Sequence, residues 1–185
     1  MRSRLPIIAN ELGADERTLR RAVSRGTVRA RRPGPRQLQL EPAERAYLRD
    51  HWPVLSELNR ALRNEPGVRL AVLYGSVARG DGGPASDLDL LVDLHDDTAR
   101  GSSALARRLG RALGREVDVA RLNQVRDRSP LLLVQALREG RVIVDRDGDW
   151  PGMLAQHDKA GKAADRAIDA ERQAAGAALA DLLDP

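Results

Sequence analysis

Apolar positions along this chain follow two rhythms. Up to about residue 64 they recur every three or four residues; from residue 68 they come in short continuous runs separated by helical stretches. In the first part, LPIIANEL (5–12) puts Leu5, Ile8 and Leu12 on one face of a short helix. Gly13-Ala14 makes a turn, and Asp15 is placed to cap a second helix, ERTLRRAVSR. There Leu19, Ala22 and Val23 face inward while Arg17, Arg20, Arg21 and Arg25 face out, and Gly26 suits the stop. TVRARRPGPRQLQL alternates on each side of Pro-Gly-Pro, as in a small β-hairpin. Helix, tight turn, basic helix and basic hairpin is the order of a winged helix-turn-helix. A long helix follows from Glu41-Pro42 to about residue 64, with Tyr47, Leu48, Trp52, Leu55, Leu58 and Leu62 on its apolar face. Pro53 interrupts it, which predicts a kink or two helices.

From 68 onward, VRLAVLYG, DLDLLVDL, REVDVARL and RVIVD read as strands. Between them SVARG starts like a short helix, ARGSSALARRLGRALG is a helix closed by Gly114, and SPLLLVQALREG is a helix with Ser129 as cap and Gly140 at its end. Strands separated by helices predict an α/β or α+β sheet domain. The tail from Trp150 reads as an Ala-rich helix whose larger apolar groups are Met153, His157, Ile168, Leu179 and Leu182. The expected organisation is a winged helix-turn-helix over 1–41, a linking helix over 42–66, a sheet domain over 67–148 and a C-terminal helix over 149–185.

Charge sharpens the first of these. Residues 1–50 hold 12 Arg against 6 acidic residues, while the remainder holds 19 basic against 21 acidic, so the net +4 belongs to the N-terminal piece. That favours DNA binding by Arg17, Arg20, Arg21 and Arg25 in a groove, with Arg29, Arg31, Arg32 and Arg36 on the backbone; the bland alternative is a helical cap with solvated arginines. Cysteine is absent, which excludes disulfides and thiolate metal sites. No apolar run approaches a membrane span and no secretory leader is visible, so the expectation is a soluble cytoplasmic protein with no membrane partner. Helix-turn-helix proteins often pair, so a homodimer is compatible with this reading.

The candidate chemistry lies in GSVARGDGGPASDLDLLVD, residues 75–93. Asp87 and Asp89 stand two apart in an apolar run, so a strand puts them on one face. Carboxylates that close repel, unless a cation lies between them. A hard divalent ion, Mg²⁺ or Mn²⁺, bound by these oxygens and by substrate phosphates, resolves the conflict. Asp118 in EVDVA is a third carboxylate in an apolar strand; converging with the other two, it would allow in-line displacement at phosphorus. Gly75 and Ser76 lie where a strand turns into a helix, a place suited to phosphate binding. Arg79 or Arg69 would add positive charge.

Gly75-Ser76, ten residues, then Asp87-Leu88-Asp89 resembles the signature of the polymerase-β-like nucleotidyltransferases, and GSVARG…SDLDLLV is similar to the minimal members of that group. The resemblance covers about residues 68–146. It implies an α+β fold with a mixed sheet, triphosphate binding at Gly75 and Ser76, metal binding at Asp87 and Asp89, and deprotonation of the acceptor hydroxyl aided by Asp118. It further implies ATP as substrate and a HEPN-type toxin as partner, the chain being the antitoxin that transfers AMP to it. The basic N-terminal piece departs from the shortest members. It leaves open a transferase acting on RNA, and a DNA-binding regulator whose nucleotide domain is vestigial.

Overall fold

A computed structural model describes residues 5–34 and 37–158. Residues up to Asp149 form one unit and those from Trp150 a second. In the first unit, α1 (Leu5–Glu11) and α2 (Glu16–Arg25) precede a hairpin of β1 (Arg31–Gly34) and β2 (Gln37–Gln39). The Asp15 carboxylate accepts the Arg17 and Thr18 N–H groups at 2.8 and 3.2 Å, which satisfies the exposed start of α2. Gly26 closes it at φ +92°.

Helix α3 (Pro42–Arg63) runs through Pro53 as one element, so Pro53 does not divide it into two helices. Pro53 sits on the exposed side, as does Arg49, whose carbonyl loses its partner, so water can serve that carbonyl. The buried side carries Tyr47, Leu48, Trp52, Leu55, Leu58 and Leu62, as the periodicity predicts.

A four-stranded sheet follows, built from β3 (Val68–Tyr74), β4 (Leu88–Leu94), β5 (Val117–Arg121) and β6 (Arg141–Asp145) in the order β5-β4-β3-β6. β3 runs antiparallel to β4 and β6, and β4 parallel to β5, so the sheet is mixed. The parallel pair requires a crossover, supplied by α5 (Ala99–Leu113). Alternation divides the strands between two faces. Ala71, Leu73, Leu88, Leu90, Val92 and Ile143 share a core with α3, α5 and the buried residues of α1 and α2. The opposite face carries Val72, Leu91 and Val142, in register with one another, on the side of α6 (Leu122–Arg128) and α7 (Pro130–Glu139).

Three local expectations change. The third strand stops at Arg121 and Leu122 begins α6, which the sequence does not announce because no side chain caps it. Ser129 stands at the start of α7 but its hydroxyl makes no capping bond. Gly140 ends α7 with an extended backbone, not a left-handed one; glycine is needed because a Cβ would collide with the Ala136 carbonyl and lie 2.6 Å from Val72 Cγ1. In the second unit residues 150–158 are helical, with Met153 and His157 half-buried; Ile168, Leu179 and Leu182 lie outside the described residues.

The N-terminal elements and the sheet meet at one buried ion pair. Arg141, 1% exposed at the start of β6, donates to both Glu44 oxygens at 2.6 and 2.9 Å. It also donates to the Ala78 carbonyl at 2.8 Å and the Thr27 carbonyl at 3.2 Å, and lies 3.4 Å over the Tyr47 ring. Glu44 in turn accepts the Arg29 N–H at 3.0 Å. Replacing Glu44 with Ala strands the guanidinium, so we expect Glu44→Ala to lose about 3–5 kcal/mol of stability. Urea denaturation measures this, and a loss under 1 kcal/mol would show that water or another acid replaces Glu44.

Candidate active site

The end of β3 sets the site. Tyr74 pairs with Asp89 across the antiparallel ladder, and Asp89 pairs with Asp118 across the parallel one. Tyr74, Asp89 and Asp118 thus form one lateral row on the same face of the sheet. Asp87 immediately precedes β4, two residues from Asp89. Asp118 and Asp87 are exposed and Asp89 half-buried.

The charges of the three aspartates act on one another. Burial raises the Asp89 pKa above the usual carboxylate range, Asp118 and then Asp87 raise it further, and Arg79 offsets part of this. The Tyr74 phenol is pushed up to about 12 by burial, then by Asp89 and Asp118. The row therefore holds negative charge that no cation among the described residues neutralises fully. Among the described residues no three His, Cys, Asp or Glu side chains are gathered closely enough to enclose an ion. The donor set remains all carboxylate, the chemistry of a hard divalent ion, and its excess negative charge fits one.

Gly75 follows Tyr74 at φ +75° and opens α4 (Gly75–Arg79). A Cβ at this position would fall on Asp89 Oδ2, so only glycine lets the β3–α4 turn pass beside that carboxylate. Ser76 is half-buried, and its carbonyl accepts the N–H groups of Gly80, Asp81 and Gly82 at 2.9, 3.2 and 3.1 Å. These bonds fold the glycine-rich loop back over α4. Gly82 lies so close that a Cβ would stand 2.9 Å from both Ser76 Oγ and Val77 N. The loop is fixed from outside by His51, whose Nε2 lies 3.3 Å from the Gly82 carbonyl and whose ring stacks on Tyr47.

Arg79 stands at the end of α4, ion-paired to Asp81 at 3.2 Å and Glu139 at 3.0 Å. Arg69 does not belong to the site. It lies at the opposite end of β3 and pairs with Asp93 at 3.0 Å and Asp147 at 3.1 Å. Sequence reading missed Tyr74, although its place directly before Gly75-Ser76 marks it as the last strand residue of the row.

The N-terminal arginines are dispersed. Arg20 pairs with Glu16 at 2.6 Å and Arg31 with Glu41 at 3.0 Å. Arg29 donates to the Glu139 carbonyl at 2.6 Å. Arg17, Arg21 and Arg32 are exposed, Arg25 is half-buried beside Thr27, and Arg36 lies outside the described residues.

Residues 56–149 match the family model described as Polymerase beta, Nucleotidyltransferase. No curated protein is similar enough to match. Solved structures similar to the chain include a toxin–antitoxin with AMP-PNP, at 24% identity over 70% of this chain and 98% of the other, TM-score 0.47. The MntA–HepT toxin–antitoxin is similar at 23% identity over 70% and 96%, TM-score 0.43. The complex of tri-AMPylated HEPN toxin with MNT antitoxin from Shewanella oneidensis is similar at 23% identity over 72% and 98%, TM-score 0.45.

The raised pKa of Asp89 fixes the sign of its effect on stability. The folded state holds the Asp89 proton more tightly than the unfolded chain does, so stability falls as pH rises from the ordinary aspartate range through the raised value. We expect Asp89→Asn to raise Tm by a few degrees at pH 7, with the gain shrinking as pH falls from the raised Asp89 value towards the ordinary aspartate range, below which it is gone. Gly75→Ala should lower stability by about 1–3 kcal/mol through strain at positive φ and collision with Asp89. Thermal melts across pH read both, and an Asp89→Asn protein that melts lower at pH 7 would refute the charge conflict.

Proposed function

Because the chain belongs to the polymerase beta nucleotidyltransferase family, we propose that it transfers AMP from ATP to a hydroxyl of a protein partner, with Asp87, Asp89 and Asp118 as the acidic groups of the reaction. The observation that carries this is the lateral row, which sets Asp89 between Asp118 and Tyr74 with Gly75 cleared to let the chain pass. Asp87 and Asp89, with Asp118 beside them, would hold Mg²⁺ or Mn²⁺. Such an ion, when bound, neutralises charge on the triphosphate and acidifies the acceptor hydroxyl.

The remaining roles fall on the chain. Gly75 and Ser76 receive the triphosphate where the β3–α4 turn brings the backbone close. The acceptor oxygen attacks the α-phosphorus, an O–P bond forms, the α–β anhydride bond breaks, and pyrophosphate leaves. The hydroxyl proton passes to a carboxylate, and Asp118, exposed at the edge of the row, is the one an incoming partner can reach. Arg79 remains tied to Asp81 and Glu139 and acts through its field on Asp89. The likeness of GSVARG…SDLDLLV to minimal nucleotidyltransferases supports placing the chain as the antitoxin of a HEPN-type toxin, with the toxin as acceptor.

A second reading concerns DNA. Arg17, Arg21 and Arg32 are exposed and have no acidic partner among the described residues, which supports phosphate contacts by the N-terminal elements. This activity would coexist with transfer, or replace it in a vestigial enzyme.

Incubation of the full chain with α-labelled ATP, Mg²⁺ and lysate of its native source should label one protein band. Labelling should fall more than ~100-fold in Asp87→Ala/Asp89→Ala, beyond the loss expected from disturbing a mere supporting partner, and should vanish with a chelator. Label on RNA would move the acceptor to nucleic acid. No label from any of the four nucleotides, in a folded protein, would leave the DNA-binding regulator.

A further inference from the structure

A hollow of about 230 Å³ opens between α2 and α3, at the β6 side of the fold. Four arginines line it: Arg21 and Arg25, one turn apart on α2, and Arg60 and Arg63 on α3. No Asp or Glu lines it. Arg20, Arg31 and Arg45, by contrast, each have an acidic partner. Trp52 forms part of the wall, and Asn59 is held by a 2.9 Å bond to the Ile143 carbonyl. Arg25 is tethered through Nε to Thr27 Oγ1 at 3.2 Å, and its terminal nitrogens have no acidic partner among the described residues beside the hollow. Burial, and then the charge of Arg63, lowers the Arg25 pKa, so like charges are held together here without compensation.

Several guanidinium forks converging on a concave space select planar or tetrahedral oxyanions, because each fork offers paired donors. A hollow smaller than the ~300 Å³ at which drug-sized pockets begin suits a chain of two or three phosphates better than a whole nucleotide. A duplex would ask for the reverse shape, a ridge entering a groove. None of Gly75, Ser76, Asp87, Asp89 or Asp118 lines the hollow, and β6 lies at the sheet edge opposite β5.

We propose that this hollow is a binding site for a compact polyphosphate, either inorganic pyrophosphate or the phosphate chain of a free nucleotide. It does not depend on the transferase reading. The probe is inorganic pyrophosphate, titrated calorimetrically into the full chain without divalent cation so that the aspartate row repels it. One equivalent should bind, more weakly as salt rises. Arg60→Gln/Arg63→Gln should weaken binding at least tenfold. Both residues are exposed and have no acid partner among the described residues, so the fold should hold; Arg21→Gln gives an independent second variant. Asp89→Asn should leave binding unchanged. Competition by ATP would identify a nucleotide as source, and its absence the inorganic ion; both sustain the proposal. It is overturned if pyrophosphate does not bind, if the arginine variants bind it as tightly, if Asp89→Asn abolishes binding, or if a DNA duplex displaces it more effectively than ATP.

Discussion

One charge buried without water, the Arg141 guanidinium, constrains everything around it. Burying a cation costs several kcal/mol unless its donors are used. Here the donors go to Glu44 from α3, Thr27 from the turn after α2 and Ala78 from α4. Four segments far apart in sequence must therefore arrive in one arrangement. The stack continues through Tyr47 to His51 and the Gly82 carbonyl, so the same pair that anchors the N-terminal elements also holds the loop over Ser76. Gly80 shows how close the fit is: a Cβ there would stand 2.9 Å from the Tyr47 ring.

The site works against the rest of the fold. Strand β4 is apolar where it faces α3 and α5, but its other face ends in a carboxylate placed laterally between a second carboxylate and a phenol. Nothing in packing rewards that arrangement, and the upward shifts of Asp89 and Tyr74 are its measure. Such local conflict inside an otherwise consistent strand is where function is expected to reside.

Much of this was legible in the sequence where a local rule decides. Asp15 and Gly26 bound α2 because capping depends on neighbours only. The runs after residue 68 predict a sheet domain, and the resemblance carried by Gly-Ser…Asp-Leu-Asp implies that its sheet is mixed and points to the region of the family match. Pairing was beyond reach: which residue of VDVA faces Asp89 depends on the parallel register of β5, set by the α5 crossover. Arg141 was invisible as a core residue because its partner lies 97 positions away. Glu44 did leave a trace, since it falls in phase with Tyr47, Leu48 and Leu55 on the buried side of α3. Pro53 does not split α3 because the carbonyl it frees lies on the exposed side, where water can serve it, and exposure is not legible from proline alone. The order of the N-terminal elements, helix, turn, helix and hairpin, is the same in sequence and structure.

The place of Arg141 so late in the chain also bears on how the protein assembles. A nascent chain released only as far as α7 already contains α1, α2, α3, the β3–β4–β5 ladder and every residue of the acidic row. It lacks the cation that Glu44 is built to meet, and β6, against which α2 and Thr27 rest. Helices α1 and α2, made well before β6, therefore reach their final seat only after β6 has been made. During that interval α2 lacks the strand it packs against. Docking of α2 on β6 therefore follows the closing of the sheet.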